Sequence, residues 1–139
     1  MKKGVLLNSE ITYVISMLGH GDSLVICDSG LPIPESVKRI DLAVKKGIPS
    51  FLEVLDALLS ELRVEAFVLA EETRLTSPEI FNEIVARCND MKRLEDIDVK
   101  IIEVTHEEFK NMTRCTKAVV RTGEFTPYAN ILLKSGVVF

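Results

Sequence analysis

The sequence predicts an α/β fold in three layers, a mostly parallel β-sheet flanked by helices. Two observations predict it. Amphipathic helical stretches and short β-rich apolar runs alternate from one end of the 139 residues to the other, the pattern that strand–helix crossovers produce. The apolar runs are continuous, as strands covered on both faces are. A third observation bears on organisation. No linker, internal repeat or low-complexity segment interrupts the chain, so residues 1–139 are expected to form one domain, long enough to bury a core without disulfides or metals.

The elements can be justified in order. "NSEITYVISMLGHG" reads as a helix capped by Asn8 or Ser9, with Ile11, Val14, Ile15 and Leu18 on one face. Gly19 stands where a left-handed C-terminal cap is expected. "SLVIC", residues 23–27, reads as a buried strand followed by turn chemistry, and "KRIDLAV" as a further short extended piece beyond the stiff Pro32 and Pro34 loop. "SFLEVLDALLSEL" opens with a capping box, Ser50 and Glu53, and carries Phe51, Val54, Leu55, Leu58, Leu59 and Leu62 in one stripe. "VEAFVLAE" is a buried strand. Ser77 and Pro78 open a helix whose inner face is Ile80, Ile84, Val85 and Cys88. "VKIIEV" is a strand, Thr105 and Glu108 form a second capping box for a short helix through Met112, and "AVVRTG" and "NILLKSGVV" are the last strands.

Composition excludes several classes of function. With 47% apolar and 27% charged residues and a formal net charge of −4, the chain suits a soluble globular protein. It lacks the clustered basic surface that nucleic acid requires. Cys27, Cys88 and Cys115 are odd in number and widely spaced, which argues against a disulfide framework or structural zinc and for a reducing cytoplasm. Lys2 and Lys3 precede only Val5, Leu6 and Leu7, too short a run for a signal peptide, and no run is long enough to span a bilayer.

The residues that look chemical gather at element boundaries. His20 lies between two glycines, which let the backbone turn tightly and leave the ring accessible. Asp28 ends an apolar strand, where ligand loops of open α/β sheets lie; an Asx-turn with Ser29 and Gly30 is an equal reading. His106 follows a capping threonine and fits a surface first-turn residue as well as a ligand. "TPYAN", residues 126–130, sets Tyr128 and Asn130 around a turn, as sugar hydrogen-bonders or as a hairpin cap. No phosphate-binding glycine loop and no nucleophile elbow is present. The two histidines, Asp28 and Cys27 are metal-ligating types, but the histidines lack any local metal spacing, so no metal site is expected.

Longer segments add a resemblance. "KKGVLLNSEI", "LGHGDSLVICDSGLPIP", "RIDLAV", "GIPSF", "THEEFK" and "RTGEFTPYANILLKSGVVF" resemble the D-ribose pyranase family over nearly the whole chain. The related L-fucose mutarotases share a shorter G-H-G-D signature and the Y-x-N-I-L-L-K-x-G-V ending. The resemblance implies a cytoplasmic, cofactor-independent isomerase that interconverts the pyranose and furanose rings of D-ribose. It also implies a ring-like homo-oligomer, a pentamer or decamer, with sugar bound between subunits. Carried over by position, His20 is similar to the family's proton donor. Asp28, His106, Tyr128, Ala129 and Asn130 match its sugar-binding positions. A fucose-type mutarotase and a non-catalytic sugar-binding subunit of an uptake system are the alternatives.

One geometric expectation follows. A straight strand over residues 23–27 spans roughly 17 Å. Asp28, His106, Tyr128 and Asn130 then gather at the carboxyl edge of the sheet and His20 lies at the opposite edge. Either its loop folds back, or His20 serves the pocket of a neighbouring subunit; the second is favoured.

Overall fold

The computed structural model describes residues 1–139. Its elements are helix α1 (Ser9–Met17), strands β1 (Ser23–Cys27) and β2 (Lys38–Asp41), helix α2 (Phe51–Leu59), strand β3 (Val64–Ala70), helices α3 (Glu71–Thr76) and α4 (Pro78–Glu95), strand β4 (Lys100–Val104), helix α5 (His106–Thr113), and strands β5 (Ala118–Arg121) and β6 (Ile131–Ser135). All six strands form one sheet in the order β2-β5-β1-β6-β3-β4. Five run in the same direction. β6 alone runs against them, antiparallel to both β1 and β3. Its first residues therefore lie at the carboxyl edge of the other strands and its last residues at the amino edge.

The strands are apolar at consecutive positions because the sheet is covered on both faces. Leu24, Ile26, Phe67, Leu69, Val120, Ile131 and Leu133 face the larger core, built with α1, α2 and α4. Val25, Cys27, Val68, Val119 and Leu132 face the smaller one, closed by Phe109 and Met112 of α5. This is the three-layer α/β arrangement expected. No helix is long and apolar enough to cross a membrane.

Local chemistry fixes the helix starts. Asn8 accepts from the Ile11 N–H at 3.0 Å to cap α1, and the Ser50–Glu53 capping box closes reciprocally on α2. At α5, Thr105 accepts from the Glu108 N–H, but the return bond from Glu108 is not made, so the second box is only half formed. Gly19 does not cap α1 in the left-handed region. Leu18 is its extended C-cap, and the left-handed residue of that loop is Gly21, with φ of 80°. The reason is that Gly19 is tied by its N–H to the Asp22 carboxylate at 2.9 Å, while Gly21 makes the turn into β1 and donates to Ser135 O. Helix α3 was not expected; its six residues have no apolar period to reveal it. Gly123 is required by close approach, since a Cβ there would fall 2.5 Å from the carbonyls of Lys45 and Ile48.

Candidate active site

The loop after β1, the start of α5 and the β5–β6 connection meet at the carboxyl edge of the sheet around a cleft of about 360 Å³, lined among others by Asp28, His106, Glu124, Tyr128 and Asn130. The loop after β1 is set by Asp28. Its Oδ1 accepts from the N–H groups of Gly30 (2.8 Å) and Leu31 (2.9 Å), which is the Asx-turn, and its Oδ2 accepts from Asn130 Nδ2 at 3.1 Å. The turn reading holds, and the same carboxylate lines the cleft: one oxygen shapes the loop, and the other is directed to Asn130. Asn130, 1% exposed, completes a two-point pairing by accepting from the Asp28 N–H at 2.9 Å.

The segment 126–130 connects β5 to β6, which are separated in the sheet by β1. It is therefore not a hairpin turn, and the hairpin-cap reading of Tyr128 and Asn130 falls. Tyr128 adopts φ of 60°, a left-handed conformation that costs a non-glycine residue about 1–2 kcal/mol. The loop is held in it from both sides. Thr73 donates to Tyr128 O at 2.8 Å, Ser77 donates to Pro127 O at 2.6 Å, and the Asn130 N–H donates to Tyr128 O at 2.8 Å. Ala129 is fully buried within the loop and does not line the cleft, unlike its neighbours Tyr128 and Asn130.

His106 opens α5. Its N–H donates to Glu72 at 3.0 Å, and its ring meets that of Tyr128 edge to face, with centroids 5.0 Å apart. Its Nδ1 is buried without a hydrogen-bond partner, in a residue that lines the cleft. Three residues that the sequence reading missed hold this site together. Thr73 and Ser77 anchor the tyrosine loop, and Glu124 ties the cleft to α2. Glu124 accepts from the N–H groups of Phe125 and Thr126, the Thr126 hydroxyl and the Phe51 N–H. Partial burial pushes the Glu124 carboxyl up, but these hydrogen bonds outweigh it and hold it below the usual carboxylate range. The signal for Thr73 and Ser77 was weak; for Glu124 it was present, as an acid between Gly123 and "FTP", but it had no partner in view.

His20 is elsewhere. It lies at the amino edge, beside the start of β3 and the end of β6, where its Nε2 is 2.8 Å from Glu65 Oε2. The loop does not fold back, and its side chain is 62% exposed. β1 separates it from Asp28 by five residues, or roughly 17 Å. The two histidines thus lie at opposite edges, and no three His, Cys, Asp or Glu side chains cluster as a metal would require. Cys27, fully buried, has its thiol pushed up to about 12 by burial and by the Asp28 charge, so it is a core residue rather than a nucleophile.

A six-stranded α/β sheet with a polar cleft at its carboxyl edge defines an α/β protein with a candidate small-molecule site where ligand loops of such sheets lie. The chain belongs to the RbsD / FucU transport protein family, whose model matches residues 1–138. It is 47% identical to the D-ribose pyranase of Salmonella arizonae over 139 residues, 100% of both chains. The structure of Bacillus subtilis RbsD complexed with D-ribose superposes with a TM-score of 0.86 at 40% identity, covering 100% of both chains. The fucose mutarotase of Streptococcus pneumoniae, solved in complex with L-fucose, shares the fold at 23% identity and a TM-score of 0.71, again over 100% of both.

Proposed function

We propose that this chain is an isomerase that interconverts the pyranose and furanose forms of D-ribose. The observation that carries the reading is convergence: Asp28, His106, Tyr128 and Asn130 meet in one polar cleft, in a chain that matches a D-ribose pyranase end to end. The cleft falls at the lower end of the usual range for small-ligand sites, as suits a monosaccharide.

The chemistry asks little beyond position and protons. A proton reaches the ring oxygen O5 as the anomeric O1–H loses its own. The C1–O5 bond breaks and C1=O1 forms, giving the open aldehyde. O4 then attacks C1, its proton departs, and O1 is reprotonated. Electrons are neither gained nor lost and no group is transferred, so the reaction calls for no cofactor or metal. Histidine exchanges protons readily near neutral pH, and general acid–base help of this kind is worth about 10²–10⁴-fold. In this reading His20 is the proton donor. The Asp28 and Asn130 pair, His106 and Tyr128 hold the hydroxyls for reclosure through O4.

His20 reaches the sugar from a neighbouring copy. Its edge of the sheet meets the cleft edge of the next chain, a head-to-tail contact that closes into a ring when the rotation permits. The protein then works as a homo-oligomer in the cytoplasm, each chain of residues 1–139 forming one unit, on ribose brought in by a transporter. Saturation-transfer NMR tests the activity. Accelerated pyranose–furanose exchange on ribose is expected. Anomer exchange on fucose alone would make it a fucose-type mutarotase, and sugar binding without exchange a non-catalytic binding subunit.

A further inference from the structure

The structure assigns Glu65 as the residue that positions His20, with Lys134 positioning Glu65 in turn. This rests on His20 being the proton donor, as above. Three independent features of the amino edge converge on it.

The first is contact. Glu65 Oε2 is 2.8 Å from His20 Nε2, and Glu65 Oε1 is 2.8 Å from Lys134 Nζ. Both oxygens of one carboxylate are engaged, one by the ring and one by the ammonium.

The second is a β-bulge. The register between β3 and β6 passes from Val64↔Ser135 to Ala66↔Lys134, leaving Glu65 as the extra residue. Val64 and Phe67, three apart, consequently face the same core. In an unbulged strand Glu65 would share the face of Phe67 and Leu69 and enter that core. Bulges re-aim side chains in this way beside sites, and here the bulge delivers a carboxylate to His20.

The third is room made for it. Gly136 donates its N–H to Arg63 O across the bulge, and a Cβ at Gly136 would press on the Glu65 Cβ at 3.3 Å and its nitrogen at 3.4 Å.

The consequence concerns which nitrogen works. Hydrogen bonding to Lys134 first, and to His20 second, holds the Glu65 carboxyl below its ordinary range, so it is ionised and can only accept. Nε2 of neutral His20 must therefore carry the hydrogen, which leaves Nδ1 to take up and deliver the proton in the neighbouring cleft. A carboxylate that fixes tautomer and ring orientation without touching substrate is the positioning arrangement familiar from other histidine sites.

The test combines kinetics with a spectrum in the assembled protein. Glu65→Ala should lower kcat for ribose exchange about tenfold while KM stays within about twofold, because only the placement of the proton is disturbed. Glu65→Gln should return to within about threefold of wild type, since its carbonyl still accepts from Nε2–H. Lys134→Met should fall between wild type and Glu65→Ala. Nitrogen-15 NMR should find neutral His20 wholly in the Nε2–H form in wild type and a tautomer mixture in Glu65→Ala. Unchanged kcat in Glu65→Ala, a rise in KM instead, a Gln variant as slow as the Ala variant, or an unchanged tautomer would each overturn the assignment. Wild-type protein inactive on ribose would instead refute the isomerase reading, and the imidazole spectrum would still decide whether Glu65 fixes His20.

Discussion

If each catalytic cleft takes His20 from one chain and Tyr128 from the next, two inactive variants should rescue one another when assembled together. His20→Ala removes a side chain that is 62% exposed, from a loop whose turn is held by Gly19, Gly21 and Asp22 rather than by the ring. Tyr128→Ala removes a ring that touches His106 and leaves the backbone bonds of the loop to Thr73 and Asn130. Both should fold and assemble. In a randomly mixed head-to-tail ring at equal proportions, half of the clefts have an intact tyrosine side. Half of those meet an intact His20, so about one quarter of clefts are whole, whatever the subunit number. Exchange per chain should recover to about a quarter of the wild-type rate, peak at equal proportions and fall symmetrically on either side. The chains would be unfolded together, refolded, verified as mixed by native mass spectrometry of a mass-labelled partner, and assayed by saturation transfer on ribose. No recovery in verified mixed oligomers would refute the argument and place His20 and Tyr128 in one chain's pocket, despite the strand of roughly 17 Å between their edges.

Further outcomes concern the cleft itself. His106→Ala should raise KM for ribose about tenfold and change kcat less than threefold, a loss of about 1.4 kcal/mol in binding; the reverse pattern would exchange the roles of the two histidines. Asn130→Ala strips the Asp28 N–H and carboxylate of partners they hold at 2.9 and 3.1 Å, and should cost about 2–4 kcal/mol, read by urea denaturation at fixed protein concentration. Asn130→Asp should be worse at pH 8 than at pH 5, because it sets two carboxylates against each other. Glu124 has a lowered folded pKa, so its contribution is full above the ordinary value near 4.5 and lost as pH falls through the lowered one. Wild type should therefore be more stable than Glu124→Gln at pH 7, and the difference should shrink as the pH falls below about 4.5; a constant difference would show that the charge contributes nothing.

Much of this was legible in the residues. Strand "SLVIC" and the Ser50–Glu53 box lie where expected, because short-range chemistry decides them. The gathering of Asp28, His106, Tyr128 and Asn130 also followed from the chain, since each adjoins a strand end and a parallel sheet brings such ends together. What could not be read was long-range. The pairing of Asp28 with Asn130 joins residues 102 apart. The anchors Thr73, in α3, and Ser77, between α3 and α4, act on carbonyls about fifty positions away, and a buried serine or threonine has no periodic signature. The left-handed turn was assigned to Gly19 rather than Gly21 because local sequence could not say which glycine the Asp22 carboxylate would tie down. The bulge at Glu65 was invisible for the same reason: "VEAFVLA" reads as an even apolar run, and only pairing with β6 shows that its parity shifts.

The reversed direction of β6 has a consequence, on the proposed reading, for how activity depends on amount of protein. Within five residues the strand runs from Asn130 at the cleft edge to Lys134 and Ser135 beside His20; with His20 as the proton donor for a neighbour's cleft, each chain would carry two half-sites facing away from each other and no complete one. A dissociated chain would then be inert, and a closed ring would have as many working clefts as subunits. Specific activity should climb with protein concentration through the assembly range and level off above it, at a value independent of ring size.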